Sequence, residues 1–253
     1  MSEDYNIEVL LKFVESQFAE STLDGKFYFS RNRYFIELEE NQIDKGIGDK
    51  REGVWSKLYN PEKEKMFIVN EDGTEIPLSV TRGVFRQTYD DLKDVPICCF
   101  VLLSLKEDFD VNEDEKRLVL KPEIEEKLIE QFAGRDLIFV TDMREIIKRF
   151  DTACENEGLN RMRGMVKYYD DESEPHPLSQ EEFDKDPART LLYKRKFFEF
   201  QKEYRIALKK PQKSDRILDI GIVRDISYNL GTIELGKSLP IRLRFKEVES
   251  AEQ

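Results

Sequence analysis

The most apolar run of the chain is VPICCFVLLSL, residues 95–105. Its length and its valine and cysteine content are typical of a central strand that is buried on both faces. The remaining segments show no sustained alternation of strands and helices. The sequence therefore predicts an α+β fold, with a mixed, largely antiparallel sheet flanked by several helices.

Apolar residues recur at helical spacing near the N-terminus, which predicts an amphipathic helix over about residues 5–20. These residues are Ile7, Leu10, Leu11, Val14 and Phe18. Two further helices are predicted at 122–132, where a proline begins the segment, and from about 143 to 156, where Asp142 has the position of an N-cap. The pair Asp72-Gly73 predicts a hairpin between strands 66–69 and 75–78.

Short strands are predicted from branched and aromatic residues in the rest of the chain. They lie at 27–30, 137–140, 162–169, 197–208, 217–220, 232–235 and 241–245. The acidic, proline-containing stretch 170–187 is expected to be a surface excursion with one helical turn after Ser179. We expect a single α+β domain over residues 1–246 and a frayed C-terminal tail over residues 247–253.

The formal net charge of −12 bears on whether the chain binds nucleic acid. A general nucleic-acid binder is usually basic, because neutralising phosphates supplies most of its non-specific affinity. A local basic patch remains open as an alternative, and its candidates include Lys194, Arg195 and Lys196. The N-terminus shows no signal peptide, no apolar run is long enough to span a bilayer, and the three cysteines lack metal-ligand spacing. These features predict a cytoplasmic protein without a membrane partner.

The types of residue that the chain lacks limit its chemistry. It has one histidine, His176, and neither a phosphate-binding GxxxxGK[ST] loop nor a GxGxxG fingerprint. Carboxylates are therefore the expected catalytic groups. One candidate set is Glu37, Glu39, Asp49 and Glu52, which would bind Mg²⁺ or act in acid–base chemistry; a solvated acidic loop is the alternative.

The second candidate set lies in the segment FFEFQKEYRIAL, residues 197–208. Alternate residues of a strand share one face, so Gln201, Glu203 and Arg205 would form a polar row. Tyr204 and Ile206 would point the other way. The row is either a solvated face or the floor of a polar cleft. A partly buried glutamate beside an arginine is expected to be paired, and such a pair is either structural or holds a substrate.

Three segments resemble a widespread bacterial and phage family that is often encoded near defence or abortive-infection genes. They are FYFSRNRYFIELEE at 27–40, PICCF at 96–100 and KFFEFQKEYR at 196–205. The last segment carries the family's pattern of a lysine, an aromatic residue, Gln-x-Glu, an aromatic residue and an arginine. The resemblance implies a setting in bacterial or phage defence and gives no settled chemistry.

Gln201-Lys202-Glu203 is also similar to the Gln-x-Glu motif of ADP-ribosyltransferases. This resemblance implies that Glu203 stabilises the positive charge that develops on the nicotinamide ribose of NAD. Gln201 would orient the acceptor, and Arg31 or Arg205 would hold phosphate. The chain has no Ser-Thr-Ser segment, which those enzymes use to hold the dinucleotide.

Two functions follow as hypotheses. The first is an enzyme that acts on a nucleotide or nucleic acid, in its most concrete form an ADP-ribosyltransferase with NAD as substrate. A metal-dependent nuclease that uses Glu39, Asp49 and Glu52 is a lesser version. The second is a non-catalytic acidic protein, a phage inhibitor or accessory factor, which binds a basic protein partner.

Overall fold

The computed structural model describes residues 7–41, 49–112 and 117–244. It is a mixed α+β structure built on one large antiparallel sheet with several smaller sheets around it. The predicted fold class is confirmed. The expected tail at 247–253 lies outside the described residues.

The elements follow one another along the chain as strands and mostly short helices. The strands are β1 (Glu8–Glu15), β2 (Lys26–Arg31), β3 (Trp55–Leu58), β4 (Met66–Val69), β5 (Glu75–Leu78), β6 (Val84–Gln87), β7 (Pro96–Ser104), β8 (Phe109–Asn112), β9 (Arg117–Leu120), β10 (Arg135–Val140), β11 (Arg161–Met165), β12 (Lys167–Tyr169), β13 (Tyr193–Arg195), β14 (Glu203–Leu208), β15 (Arg216–Asp219), β16 (Ser227–Thr232) and β17 (Arg242–Arg244). The α-helices are α1 (Ala19–Leu23), α2 (Asn32–Asn41), α3 (Leu105–Asp108), α4 (Pro122–Phe132), α5 (Met143–Asn156) and α6 (Gln180–Lys185). Short 3-10 helices lie at Ser16–Phe18, Asp90–Asp94, Pro187–Leu192 and Lys196–Gln201.

The main sheet has the strand order β11-β14-β7-β1-β10-β16, and β2 adds to the start of β7. The apolar run thus forms the predicted central strand, with β14 on one side and β1 on the other. Its side chains alternate between the two faces of the sheet. Phe100 packs in the core beneath α5, and Val101 packs in the core beneath α4.

The predicted N-terminal helix is wrong, because residues 8–15 form strand β1. This strand lies between β7 and β10, so both of its edges are paired, and a core covers each of its faces. Leu10 packs in the α5 core, whereas Val9 and Leu11 pack in the α4 core. A strand buried on both faces has an almost continuous apolar sequence, and such a sequence also satisfies a helical pattern.

Several local predictions are confirmed. Helices α4 and α5 have the predicted bounds, and the Asp142 carboxylate caps α5 by accepting a hydrogen bond from the backbone N–H of Glu145 at 2.9 Å. Strands β4 and β5 form the predicted hairpin, with Ile68 opposite Ile76. The helical turn after Ser179 is α6, which has a complete capping box.

The later strands differ from the predictions in their bounds. The predicted strand 162–169 is divided into β11 and β12, and β16 ends where a strand was predicted to begin, at Thr232. The acidic stretch 170–187 is a surface segment only in part, since Leu178 and Phe183 are buried beside Trp55. No helix in the described parts of the chain has the length and apolar character needed to cross a membrane.

The turn at Gly25 brings two backbone segments together. Gly25 has a φ of +90°, and a methyl group built on its Cα would lie 1.9 Å from the carbonyl oxygen of Gly221. Gly134 has a similar φ of +82°, with no atom within 4 Å of such a methyl group.

We predict that Gly134→Ala lowers the free energy of unfolding by about 1–2 kcal/mol, the penalty for a left-handed alanine. Gly25→Ala is expected to lower it by about 1–3 kcal/mol more, because the close approach adds an overpacking term. Urea unfolding of the two variants measures the difference. Equal losses would contradict the close approach of Gly25 and Gly221.

Candidate functional site

The two polar residues Gln201 and Glu203 are positioned by an unusual junction. The predicted strand 197–208 is wrong in its first half, because residues 196–201 form a 3-10 helix and β14 begins at Glu203. Lys202 joins them with a φ of +44°, in the left-handed region that non-glycine residues rarely adopt. Such backbone strain persists only where surrounding contacts hold it, and Lys202 is held by an ion pair with Asp108 at 2.7 Å.

Within β14 the predicted alternation is confirmed. Tyr204, Ile206 and Leu208 pack into the α5 core. Glu203 and Arg205 lie on the opposite face, where both are buried rather than solvated. The side chains of the polar row therefore lose their contact with water on folding, and each charge among them needs a partner within the protein.

Arg205 receives its main partner from a distant loop. The Glu52 carboxylate accepts hydrogen bonds from both terminal nitrogens of Arg205, at 2.6 and 2.7 Å. Arg205 also donates to Glu203 at 2.6 Å and to the carbonyl oxygen of Leu191 at 2.7 Å. Such a two-pronged pair between arginine and a carboxylate is among the strongest charge-assisted contacts in proteins.

Lys194 completes the group from β13, which pairs with β12 in a separate two-stranded sheet. Its ammonium donates to the Oε1 atoms of Gln201 at 2.6 Å and of Glu203 at 2.7 Å, and it lies 3.4 Å from a carboxylate oxygen of Glu52. The side chain has no exposed surface, and its nitrogen lies 4.6 Å from the ring centre of Phe198. We call Glu52, Lys194, Gln201, Glu203 and Arg205 the buried ion cluster.

The charges in the buried ion cluster shift one another's pKa values. Burial alone would raise the pKa of Glu203, but Arg205 and Lys194 outweigh it and lower the pKa to about 2. Burial would lower the pKa of Lys194, yet the carboxylates of Glu203 and Glu52 raise it above its usual value. Both groups therefore stay charged at neutral pH.

A second ion pair lies beside the buried ion cluster. Arg195 donates to Asp49 at 2.7 Å, and the same carboxylate accepts from the backbone N–H of Arg51 at 2.9 Å. Burial and the charge of Glu52 raise the pKa of Asp49, although Arg195 opposes the change. Glu52 thus joins the polar row of β14, with Asp49 beside it, and these two members of the first predicted set meet the second set in space.

An open pocket begins where this second ion pair reaches the surface. Cations and aromatic rings line it, together with the acidic residues 170–172. The cations are Arg51, Arg195 and Lys196, and the rings are Tyr169 and Phe197. Phe197 is 57% exposed, whereas Glu203 is not among the lining residues. We call this the outer pocket.

Other predicted site residues lie elsewhere. Arg31 pairs with Asp94 and Asp215, and it faces β7 five residues away from Glu203. At about 3.3 Å per residue this separates the two by roughly 16 Å along β7, and β2 and β14 pair with opposite edges of β7, so the structure does not bring Arg31 to Glu203. Glu37 and Glu39 belong to α2, and the side chain of Glu39 lies outside the described residues.

His176 is held among aromatic rings rather than in a catalytic arrangement. Its ring lies 4.9 Å from that of Tyr169 and 4.8 Å from that of Tyr193, and its Nδ1 accepts a hydrogen bond from the backbone N–H of Leu178. Burial lowers its pKa to about 4. The imidazole is therefore neutral at physiological pH.

The central role of Lys194 was missed from the sequence, where this residue was only one candidate for a local basic patch. The available signal was its position in TLLYKRKFFEF, where apolar and aromatic residues surround the basic group. Lysine is almost never fully buried unless it is paired, and here Glu52 and Glu203 pair with Lys194.

No group of three or more histidine, cysteine, aspartate or glutamate side chains within the described ranges has an arrangement suited to a metal ion. Comparison with protein-family models, with curated proteins and with solved structures gives no match to this chain. What the site does is therefore inferred from its geometry.

We predict that Glu203→Gln lowers the free energy of unfolding at pH 7 by about 3–5 kcal/mol, because it leaves buried cations without their partner. The pKa of Glu203 is lowered from an unfolded value of about 4.3 to about 2. Its stabilising contribution is therefore present above pH 4.3 and disappears as the pH falls towards 2. Denaturant titrations across this range should show a less steep loss of stability in the variant than in the wild type.

Glu126→Gln is the matched control, because Glu126 is exposed on α4. It should change the free energy of unfolding by less than about 0.5 kcal/mol. A Glu203→Gln variant as stable as this control would contradict the pairing of Glu203 in the buried ion cluster.

Proposed function

We propose that the outer pocket binds a nucleotide and that the chain is an enzyme acting on a nucleotide or nucleic acid. ADP-ribosyl transfer from NAD is the most concrete form of this proposal. The observation that carries it is the grouping of cations, exposed aromatic surface and carboxylates in one pocket beside the buried ion cluster. The setting in bacterial or phage defence remains an expectation from the sequence resemblance.

Each part of a nucleotide has a suitable group in the pocket. The guanidinium of Arg51 and the ammonium of Lys196 suit phosphate oxygens. The exposed ring of Phe197 offers a surface on which a base can stack. Carboxylates at 170–172 can accept hydrogen bonds from ribose hydroxyls, since an ionised carboxylate acts only as an acceptor.

The existing ion pairs decide which cation is most available. Arg51 pairs with Asp171, and Arg195 pairs with Asp49. A phosphate at these arginines must share them with a carboxylate, which weakens its binding. Lys196 is exposed at the rim next to Phe197, so these two neighbours should contribute most to the affinity.

The geometry favours a positioning role for Glu203 over direct contact with a ribose. Each of its carboxylate oxygens already accepts a hydrogen bond from a buried cation. Glu203 holds Lys194 in place. Because Arg195 follows Lys194 in β13, this contact also helps to position Arg195 at the pocket. Gln201 acts in the same way, since it accepts from the same ammonium.

We predict that NAD binds the wild-type protein and that Phe197→Ala weakens binding by about 1–3 kcal/mol, the usual loss for one stacked base. Lys196→Ala should also weaken nucleotide binding, and the loss of affinity should be larger for the ligand with more phosphate charge. Calorimetry with NAD and with ATP gives the affinities, and NAD turnover followed on the same samples tests the enzymatic step.

Phe18→Ala is the control, because Phe18 is 52% exposed and lies before α1, outside the outer pocket. It should leave affinity and turnover unchanged. Binding that is equally strong in the wild type and Phe197→Ala would contradict the pocket assignment. Binding without turnover would leave a nucleotide-binding protein and remove the transferase.

The second candidate is a non-catalytic protein that presents its acidic surface to a basic protein. The observation in its favour is the net charge of −12 together with exposed carboxylates in the segment 170–186, such as Glu172 and Glu174. A wild-type chain that binds neither NAD nor ATP would favour this candidate over the enzyme.

A further inference from the structure

Residues 55–87 form a two-part extension, which we call the arm. Its root is residues 55–65 and 79–87, built on the ladder between β3 and β6, and its tip is residues 66–78, the hairpin of β4 and β5. Trp55 anchors the root by donating to the carbonyl oxygen of Leu178 at 2.8 Å, and Arg86 lies 3.7 Å from Asp171. In the described part of the chain, the tip hairpin pairs with no third strand.

The tip exposes apolar side chains on both of its faces. The register places Met66, Ile68, Ile76 and Leu78 on one face, and Phe67, Val69 and Pro77 on the other. Val69 is 62% exposed, Ile68 49% and Phe67 41%. An isolated two-stranded hairpin is marginally stable in water, and it needs further strands or a packing surface.

The charges of the arm are separated along its length. Five acidic and five basic residues give the arm no net charge, in a chain whose net charge is −12. The tip carries three of the acids, Glu71, Asp72 and Glu75, and none of the bases. The root carries all five bases and the other two acids. The tip is thus acidic and the root is basic.

From these observations we infer that the arm is a dimerisation element whose partner is a second copy of this chain. Two arms related by a two-fold axis and running in opposite directions would bring each acidic tip to the partner's basic root. The same arrangement would cover apolar side chains of each tip with the partner's root. Because the arm is neutral, two copies of an acidic protein repel each other least there.

The test is an exchange of charges between tip and root in the full-length chain. One variant carries Glu71→Lys and Glu75→Lys, and the other carries Lys63→Glu and Lys65→Glu. Asp72 is kept because its carboxylate accepts from the backbone N–H of Thr74 in the turn. The wild type should sediment as a dimer at micromolar concentration. Each variant alone should be monomeric, and an equimolar mixture of the two should recover the dimer, because opposite charges then face each other at both contacts.

The apolar contact is tested separately with Ile68→Lys. This change should weaken dimerisation about tenfold or more, since it places an unpaired ammonium in an apolar interface. Leu235→Lys is the control, because Leu235 is 70% exposed outside the arm. A monomeric wild type, a dimer that Ile68→Lys leaves unchanged, or variants that do not recover the dimer on mixing would overturn the inference.

Discussion

The ion pair between Arg205 and Glu52 is the contact on which the candidate site depends. Its residues are 153 positions apart in the sequence and both are buried, so neither charge has water as a substitute partner. The pair ties the loop at 49–53 to the central sheet. Lys194 and Glu203 extend the same network to β13, and through β13 to the outer pocket. Folding and the geometry of the pocket are thereby coupled.

Local features of the sequence predicted local structure well. Helix α5 follows from Asp142, which caps it, and the hairpin tip follows from Asp72-Gly73. The helix prediction for the N-terminal segment failed because its apolar residues fit a helix and a strand buried on both faces equally well. This segment is a strand because it pairs with β7 on one side and with β10 on the other. A local sequence pattern does not reveal pairing with distant strands.

The candidate site was predicted in part for the same reason. Period-two spacing placed Glu203 and Arg205 on one face, and β14 confirms it. The sequence did not indicate that Glu52 and Lys194 would meet them, because ion pairs between distant segments have no signature in spacing. It also predicted Gln201 in a strand, although the left-handed turn at Lys202 lets this side chain reach Lys194 from a helix.

A double-mutant cycle on Glu52 and Arg205 tests the central claim most directly. Glu52→Leu and Arg205→Met each remove one charge and keep most of the side-chain volume. Each single variant should lose about 3–5 kcal/mol of stability, because the remaining charge is left buried and without its partner. The stability lost by the double variant should be smaller than the sum of the two single losses by about 1–3 kcal/mol, which lies within the range found for residues in one network. Losses that add within about 0.5 kcal/mol would contradict the claim that this pair holds the site together.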